Sequence, residues 1–206
     1  MTDVRPGTEA DASLAATLHA SEIGDGFLPS LGRSFLTRLY RRIVRSPGSF
    51  LLVAEADGDT LGFIAGTDDV RELYRSFLVR DGLVAAISAL PQVLRSSRRV
   101  LETLRYGTGT GGGTGNEPSH GPSEADLPKA ELLAIAVAPR ARGRGAGRAL
   151  VDAFTAELTR RGVPGARVVV GADNDAAIRL YERCGFTKVA RIEVHRGTPS
   201  QVLTWP

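Results

Sequence analysis

The alternation of apolar and polar residues predicts two helices followed by a β-hairpin in the first third of the chain. Apolar residues recur at helical spacing after Asp11, which we expect to cap that helix. Residues 32–45 place apolar side chains on one stripe and arginines on the other, as an amphipathic helix does. Strand-forming residues then fill 49–56 and 60–67, and the Asp-Gly pair between them predicts a tight turn.

The middle of the chain combines helical patterning with a low-complexity segment. Apolar residues at helical spacing over 70–79 and 83–106 predict a helical insertion over 70–106. Residues 107–127 are rich in glycine, threonine and serine, cannot bury a core, and are expected to form a flexible loop. His120 within it is expected to be solvated. This insertion could cover an active site, build part of a substrate pocket, or supply the face of a homodimer.

Regular patterning resumes in the C-terminal part, where the sequence predicts a β-α-β unit and then a closing hairpin. The predicted elements are a strand over 131–138, a helix over 145–161, a strand over 166–172, a short helix over 175–184, and strands over 187–195 and 201–205. We interpret the whole chain, residues 1–206, as a single domain with an insertion.

Composition narrows the class of protein. The 206 residues are 42% hydrophobic and 24% charged, which is ordinary for a globular domain. A lone cysteine, Cys184, excludes an intrachain disulfide. Because the chain has no apolar run of about 18 residues and no signal-peptide pattern, we expect a cytoplasmic protein with no membrane partner. The net charge is only +3, and the basic residues are interleaved with acidic ones. A nucleic-acid partner is therefore not expected.

The most informative segment joins the strand over 131–138 to the helix that follows. Arg142, Gly143, Gly145 and Gly147 lie at this junction. Glycines let backbone N–H groups approach a ligand, and a helix N-terminus favours an anion, so the segment predicts a phosphate or pyrophosphate site. The spacing fits neither a P-loop nor a dinucleotide-binding fingerprint. A glycine-rich turn with no ligand is the alternative.

Two motifs carry a resemblance to a known family. Residues 142–147 fit the pattern R-x-x-G-x-G, and the segment Asn174-Asp-Ala-Ala-Ile-Arg-Leu-Tyr181-Glu-Arg-Cys-Gly185-Phe186 is similar to a second signature of the GCN5-related N-acetyltransferases (GNAT). The resemblance implies an α/β (α+β) fold with a central mixed, mostly antiparallel sheet of about seven strands, flanked by helices and enlarged by the insertion before the fourth strand. A domain of this family binds acetyl-CoA.

The resemblance also implies a function. It is direct transfer of an acetyl group from acetyl-CoA to a primary amine of a small molecule or peptide, in a ternary complex. A non-catalytic acyl-CoA-binding regulatory module is the alternative. No metal is expected, since the three histidines offer no ligand spacing.

The resemblance assigns roles to residues of this chain. Main-chain groups near Ile135, Ala136 and Val137 would bind the pantetheine arm and the acetyl carbonyl. From the second signature, Asn174, Ala177 and Tyr181 would also contact the cofactor, unless Asn174 serves only to cap its helix. The pyrophosphate would bind the run that follows the strand: Arg142, Gly143, Arg144, Gly145, Ala146, Gly147 and Arg148.

The catalytic candidates are a phenol and a carboxylate. Tyr181 would protonate the leaving thiolate, unless its ring serves only to pack against its own helix face. Glu131 would accept the proton of the amine, unless it is simply a solvent-facing glutamate at the start of a strand. Glu22, Asp25 and Asp68 could position a cationic amine. Cys184 is not expected to carry the acyl group.

Overall fold

The computed structural model describes residues 2–23, 31–80, 126–195 and 198–206. Seven strands in these ranges form one sheet with the order β1-β2-β3-β4-β5-β7-β6. The strands are β1 Asp3–Pro6, β2 Ser49–Ala56, β3 Asp59–Thr67, β4 Ala130–Val137, β5 Ala166–Gly171, β6 Thr187–His195 and β7 Thr198–Trp205. The five α-helices described are α1 Ala12–Glu22, α2 Arg33–Arg45, α3 Val70–Arg80, α4 Ala146–Arg160 and α5 Asp175–Arg183.

The sheet confirms the predicted mixed, mostly antiparallel architecture. Every neighbouring pair of strands is antiparallel except β4 and β5, which run parallel because α4 returns the chain between them. The hairpin between β2 and β3 turns at Asp57 and Gly58, whose φ angles are 54° and 83°. The short edge strand β1 was not located from the sequence, because four residues ending in a proline give little periodic signal.

The N-terminal segment corrects one expectation. Asp11 was expected to cap α1, but its side chain makes no capping bond to that helix. Its carboxylate instead accepts the Thr8 amide at 2.7 Å and pairs with Arg5, whose guanidinium also contacts Glu55 of β2. Arg5 holds the pKa of Asp11 well below its usual value. The carboxylate therefore ties β1 and the turn before α1 to the sheet.

The core has two apolar layers, one on each face of the sheet. The apolar stripe of α4 packs on one face, against side chains that include Phe50, Ile64 and Leu132. The stripe predicted for α2 packs with α1 on the other face, against Val53 and Phe63. The α4 stripe consists of Ala146, Leu150, Val151, Phe154 and Leu158, which are all buried. The helices thus cover both faces and leave the ends of the strands for a site.

Several expectations concern other parts of the chain. The helix over 83–106, the segment 107–125 with His120, and Asp25 lie outside the described residues. Within the described ranges, none of the helices is long and apolar enough to span a membrane.

Candidate active site

A gap between β4 and β5 is the central feature of the site. The two strands pair only at Ala130–Ala166, Glu131–Arg167 and Leu132–Val168. Beyond that point β4 stays paired with β3 up to Val137, and β5 stays paired with β7 up to Gly171. Because each strand keeps its outer partner while losing the inner one, the sheet opens into a wedge.

A β-bulge marks the place where the gap begins. In the pairing of β3 with β4, Ala65 faces Ala134 and Gly66 faces Leu132, so Leu133 is the extra residue. The bulge changes which face of the sheet the side chains occupy: Leu132 and Ile135 belong to the α4 layer, and Leu133 and Ala134 to the α1–α2 layer. A bulge also increases local twist, which accounts for the departure of β4 from β5.

The register shows which main-chain groups of β4 face the gap. The Ala138 amide donates to Leu61 O at 2.8 Å, so this residue points toward β3. In an antiparallel pair the direction alternates, so Ala136 also points toward β3, while Ile135 and Val137 direct their N–H and C=O groups away from it. Of the three residues named from the sequence, Ile135 and Val137 offer main-chain groups to the gap. Ala136 uses its groups within the sheet.

The glycine-rich turn after β4 forms an open cradle at the start of α4. Gly143 and Gly145 have φ angles of 74° and 82°, and a Cβ added to either would meet no atom within 4 Å. Gly145 occupies the N-cap position and offers no side chain to the helix, and the Ala149 amide is bonded to Gly145 O. The amides of Ala146, Gly147 and Arg148 therefore form the open N-terminus of α4.

Gly147 has a packing role in addition. A Cβ on Gly147 would lie 3.3 Å from Leu180 Cδ2 and 3.8 Å from Val137 Cγ2. The absence of that Cβ lets α5 approach both the end of β4 and the first turn of α4. Gly147 thereby brings the second sequence motif, on α5, beside the first.

The arginines of the cradle differ in their engagement. Arg142 forms an ion pair with Glu22, the last residue of α1. The Arg148 guanidinium lies 3.5 Å from Asp152, one turn further along α4. Arg144 is exposed. Glu22 therefore lies against the cradle, and Asp68 pairs with Arg161 at the other end of α4.

The second motif begins with a helix cap. Asn174 Oδ1 accepts the Ala177 amide at 3.1 Å, which satisfies one free donor at the start of α5. The side chain of Asn174 and the amide of Ala177 are thus bonded to each other. Both residues lie at the N-terminal end of α5, shortly after the end of β5.

Tyr181 lies in the α4 layer of the core, only 3% exposed, with its ring centroid 5.6 Å from that of Phe186. The same layer contains Leu132 and Ile135, on either side of the bulge. Burial, and to a smaller extent the nearby Cys184, raise the pKa of the Tyr181 phenol well above its usual value. The phenol is therefore protonated at neutral pH, as a proton donor must be.

Glu131 lies at the closed end of the gap, where the strands still pair. Arg167 Nε donates to Glu131 Oε2 at 2.8 Å, and the two side chains are 13% and 18% exposed. Tyr74 of α3 lies near this pair: burial, and then the charge of Glu131, raise the pKa of its phenol to about 12. Glu131 is thus not a solvent-facing glutamate but half of a largely buried ion pair.

Arg167 and Tyr74 were not singled out from the sequence. An arginine in the otherwise apolar run of β5 was the available signal, because a strand buries a charged residue only beside a partner. Which partner it has depends on the β4–β5 register.

Two further expectations concern chemistry outside the gap. Burial, and next the charge of Asp152, raise the pKa of the Cys184 thiol to about 11, which disfavours the thiolate needed for an acyl-carrying nucleophile. Among the described residues, no group of three or more His, Cys, Asp or Glu side chains could hold a metal ion. His19 is buried in the α1–α2 layer, with Nδ1 2.6 Å from the Tyr40 hydroxyl.

Comparison with known proteins agrees with this geometry. The model of the acetyltransferase (GNAT) family matches residues 96–186, which include both motifs. A mycothiol acetyltransferase from Acidothermus cellulolyticus is 30% identical over 185 residues, covering 88% of this chain and 42% of the relative. The chain spans less than half the length of the curated relatives it matches.

Solved structures share the fold. A GCN5-related N-acetyltransferase from Kribbella flavida superposes with a TM-score of 0.62 at 19% identity, over 100% of this chain and 97% of that one. The yncA protein of Salmonella typhimurium, solved with its cofactor acetyl-CoA, gives a TM-score of 0.59 at 15% identity, over 98% and 92%. The chain is thus similar to the acetyltransferase (GNAT) family over residues 96–186 and shares the fold of these solved structures.

Proposed function

We propose that this protein transfers the acetyl group of acetyl-CoA directly to a primary amine while both substrates are bound. The observation that supports this most is the parting of β4 from β5 immediately before the glycine cradle. A wedge of unpaired main chain that leads to a helix N-terminus suits a ligand with an amide-containing arm and a pyrophosphate.

The pyrophosphate would bind the cradle. The amides at the start of α4 supply donors, the helix dipole favours the negative charge, and Gly143 and Gly145 leave room for the phosphate oxygens. Arg144 is exposed beside them and would add a charge-assisted contact. Arg142 would contribute its main chain, since Glu22 holds its guanidinium.

The pantetheine arm would lie along the gap. Its amides would pair with the main-chain groups of Ile135 and Val137, as the missing strand would do. The thioester would then lie toward the bulge at Leu133, where a main-chain N–H polarises its carbonyl oxygen.

The reaction needs one proton acceptor and one proton donor. The amine nitrogen attacks the thioester carbonyl carbon, its surplus proton passes to Glu131 directly or through water, and the C–S bond breaks. The departing thiolate takes a proton from Tyr181. Two positions support these roles: Glu131 lies at the closed end of the gap, and Tyr181 lies in the α4 layer together with Leu132 and Ile135 of β4.

The relatives that match this chain suggest which amines to test first as acceptors. Matched relatives are named mycothiol acetyltransferases, so a mycothiol-related amine belongs in the first set of acceptors to be tested. The remaining members should span amino acids, amino sugars, polyamines and peptide N-termini, with thiol release from acetyl-CoA as the readout.

The cofactor part of the proposal is tested at Gly145. Gly145→Asp places an anion in the cradle, and Gly145→Asn has nearly the same shape without the charge, so both carry the same cost of positive φ. We expect the Asp variant to bind acetyl-CoA at least about tenfold more weakly than the Asn variant, from charge repulsion in the cradle. Calorimetric titration measures this. Equal affinities in the two variants would contradict a pyrophosphate in the cradle.

A further inference from the structure

A cavity lies at the end of the sheet where β4 begins. Its volume is about 90 Å³, and it is lined by the start of α3, the segment before β4, and Arg167. Three of the lining side chains are cations, Arg71, Lys129 and Arg167, and one is a carboxylate, Asp69. Asp69 Oδ1 accepts the amides of Arg71 and Glu72, as a helix cap does, so that carboxylate is committed to α3.

The guanidinium of Arg167 is the group in the lining of this cavity that is best suited to bind an anion. Its Nε is bonded to Glu131, and its two Nη groups make no hydrogen bond to any residue that the structure describes. The side chain is only 13% exposed. The planar fork of an arginine matches a carboxylate or a phosphate, so a guanidinium that lines an open cavity can bind an oxyanion there.

The cavity lies on the far side of Glu131 from the cofactor cradle. Following β4 from its start, the order is the cavity beside Lys129, the Glu131–Arg167 pair, the gap from Leu133, and the cradle after Val137. Acetyl-CoA would reach the bulge from one end of the strand. A second substrate would reach it from the other end, past the cavity.

We infer that this cavity binds an anionic group of the acceptor, so that the acceptor is a small amine that also carries a carboxylate or a phosphate. This inference rests on the proposed function, because it concerns the second substrate of the same site. The acceptor's amino group lies beside Glu131, and its oxyanion lies in the Arg167 fork with Lys129 nearby. The Glu131–Arg167 pair thus recognises both ends of the molecule.

Three simple amines test this class of acceptor. β-Alanine carries a carboxylate, O-phosphoethanolamine a phosphate, and β-alaninamide is the uncharged counterpart. We expect the better of the two anionic amines to exceed the amide by about tenfold or more in kcat/KM, as the gain of charge-assisted hydrogen bonds implies. Which anion is preferred identifies the group. Equal use of the amide and both anions would overturn the inference.

Variants locate the effect. Arg167→Gln should abolish the preference for the anion, and Arg167→Lys, which keeps a cation beside Glu131 but lacks the fork, should retain only part of it. Lys129→Gln, at an exposed position, should weaken the preference without affecting folding. Arg161→Gln is the control, because Arg161 is 18% exposed and pairs with Glu157 away from the gap. A preference that persists in Arg167→Gln would contradict the assignment.

Anion binding can be measured without turnover. Inorganic phosphate and succinate are titrated into the wild-type protein, Arg167→Gln and Gly145→Asp. Binding lost in Arg167→Gln and kept in Gly145→Asp supports the cavity. Binding lost only in Gly145→Asp places the anion in the cradle and overturns the inference, while leaving the proposed function intact. Failure of acetyl-CoA to bind would instead reject the proposed function, and the titration would still report on the cavity.

Discussion

At the scale of single residues, Tyr181 and Glu131 show how burial decides which protons are available. Burial keeps the Tyr181 phenol protonated, whereas Glu131 is held beside a cation at the closed end of the gap. The buried phenol therefore carries the proton that a leaving thiolate would need.

Substitution of the phenol tests its role. Tyr181→Phe keeps the ring in its core position beside Phe186 and removes only the hydroxyl, so the melting temperature and acetyl-CoA affinity should change little. Turnover should fall about 100-fold or more, the usual contribution of a general acid. The rate of thiol release at saturating substrate measures this turnover. Phe186→Leu is the control: it disturbs the packing, should lower stability, and should keep most of the turnover. Full activity of Tyr181→Phe would remove the assigned role.

At the scale of secondary-structure elements, glycines set how closely α4 can approach the sheet. A Cβ on Gly66 would lie 2.5 Å from Phe154 Cε2 and 2.7 Å from Phe50 Cζ, two rings in the α4 layer. Because Gly66 also flanks the register shift opposite Leu133, the same residue serves the packing of α4 and the bulge that opens the gap.

Gly66→Ala should therefore destabilise the fold. Overpacking of the two rings costs about 1–3 kcal/mol, partly offset by the reduced entropy of the unfolded chain, which contributes about 0.4–1 kcal/mol. The net loss in the free energy of unfolding should be about 1–2 kcal/mol by urea denaturation. At Gly48 an added Cβ meets nothing within 4 Å, so Gly48→Ala is the matched control and should be neutral or slightly stabilising. Similar values for both variants would contradict the steric argument.

At the scale of the whole molecule, one buried histidine links stability to pH. His19 is 4% exposed between α1 and α2, and burial lowers its pKa to about 4 from an ordinary 6.5. Between these values the unfolded chain binds a proton that the folded chain does not. The free energy of unfolding should therefore decrease as the pH falls from about 6.5 to about 4, by roughly 3 kcal/mol in total.

Denaturant unfolding at pH 7.0, 5.5 and 4.5 measures this dependence, with His19→Gln as the comparison, since its amide can still bond to the Tyr40 hydroxyl. The variant should lose much less stability over this interval. The pKa of Glu157 is lowered to about 2 by Arg160 and Arg161, and Arg5 also holds the pKa of Asp11 low, so the stability that these carboxylates contribute is lost mainly at lower pH. An equal slope in both proteins would assign the effect to other groups.

The sequence by itself determined the local structure and the position of the glycine-rich turn that forms the cradle. Periodicity predicted the α2 stripe, the bounds of α4 and the hairpin at Asp57 and Gly58 to within a residue or two, because each depends on neighbours a few positions apart. The motif 142–147 located a helix N-terminus with positive-φ glycines for the same reason.

Only the tertiary structure decided how distant segments meet. The departure of β4 from β5 and the pairing of Glu131 with Arg167 both depend on residues that lie far apart in the sequence. Strand register is set by the packing of the whole sheet, and a shift of one residue would turn Arg167 to the opposite face. The residue types that could bind a ligand or transfer a proton were therefore visible in the sequence, whereas their arrangement along β4 was not.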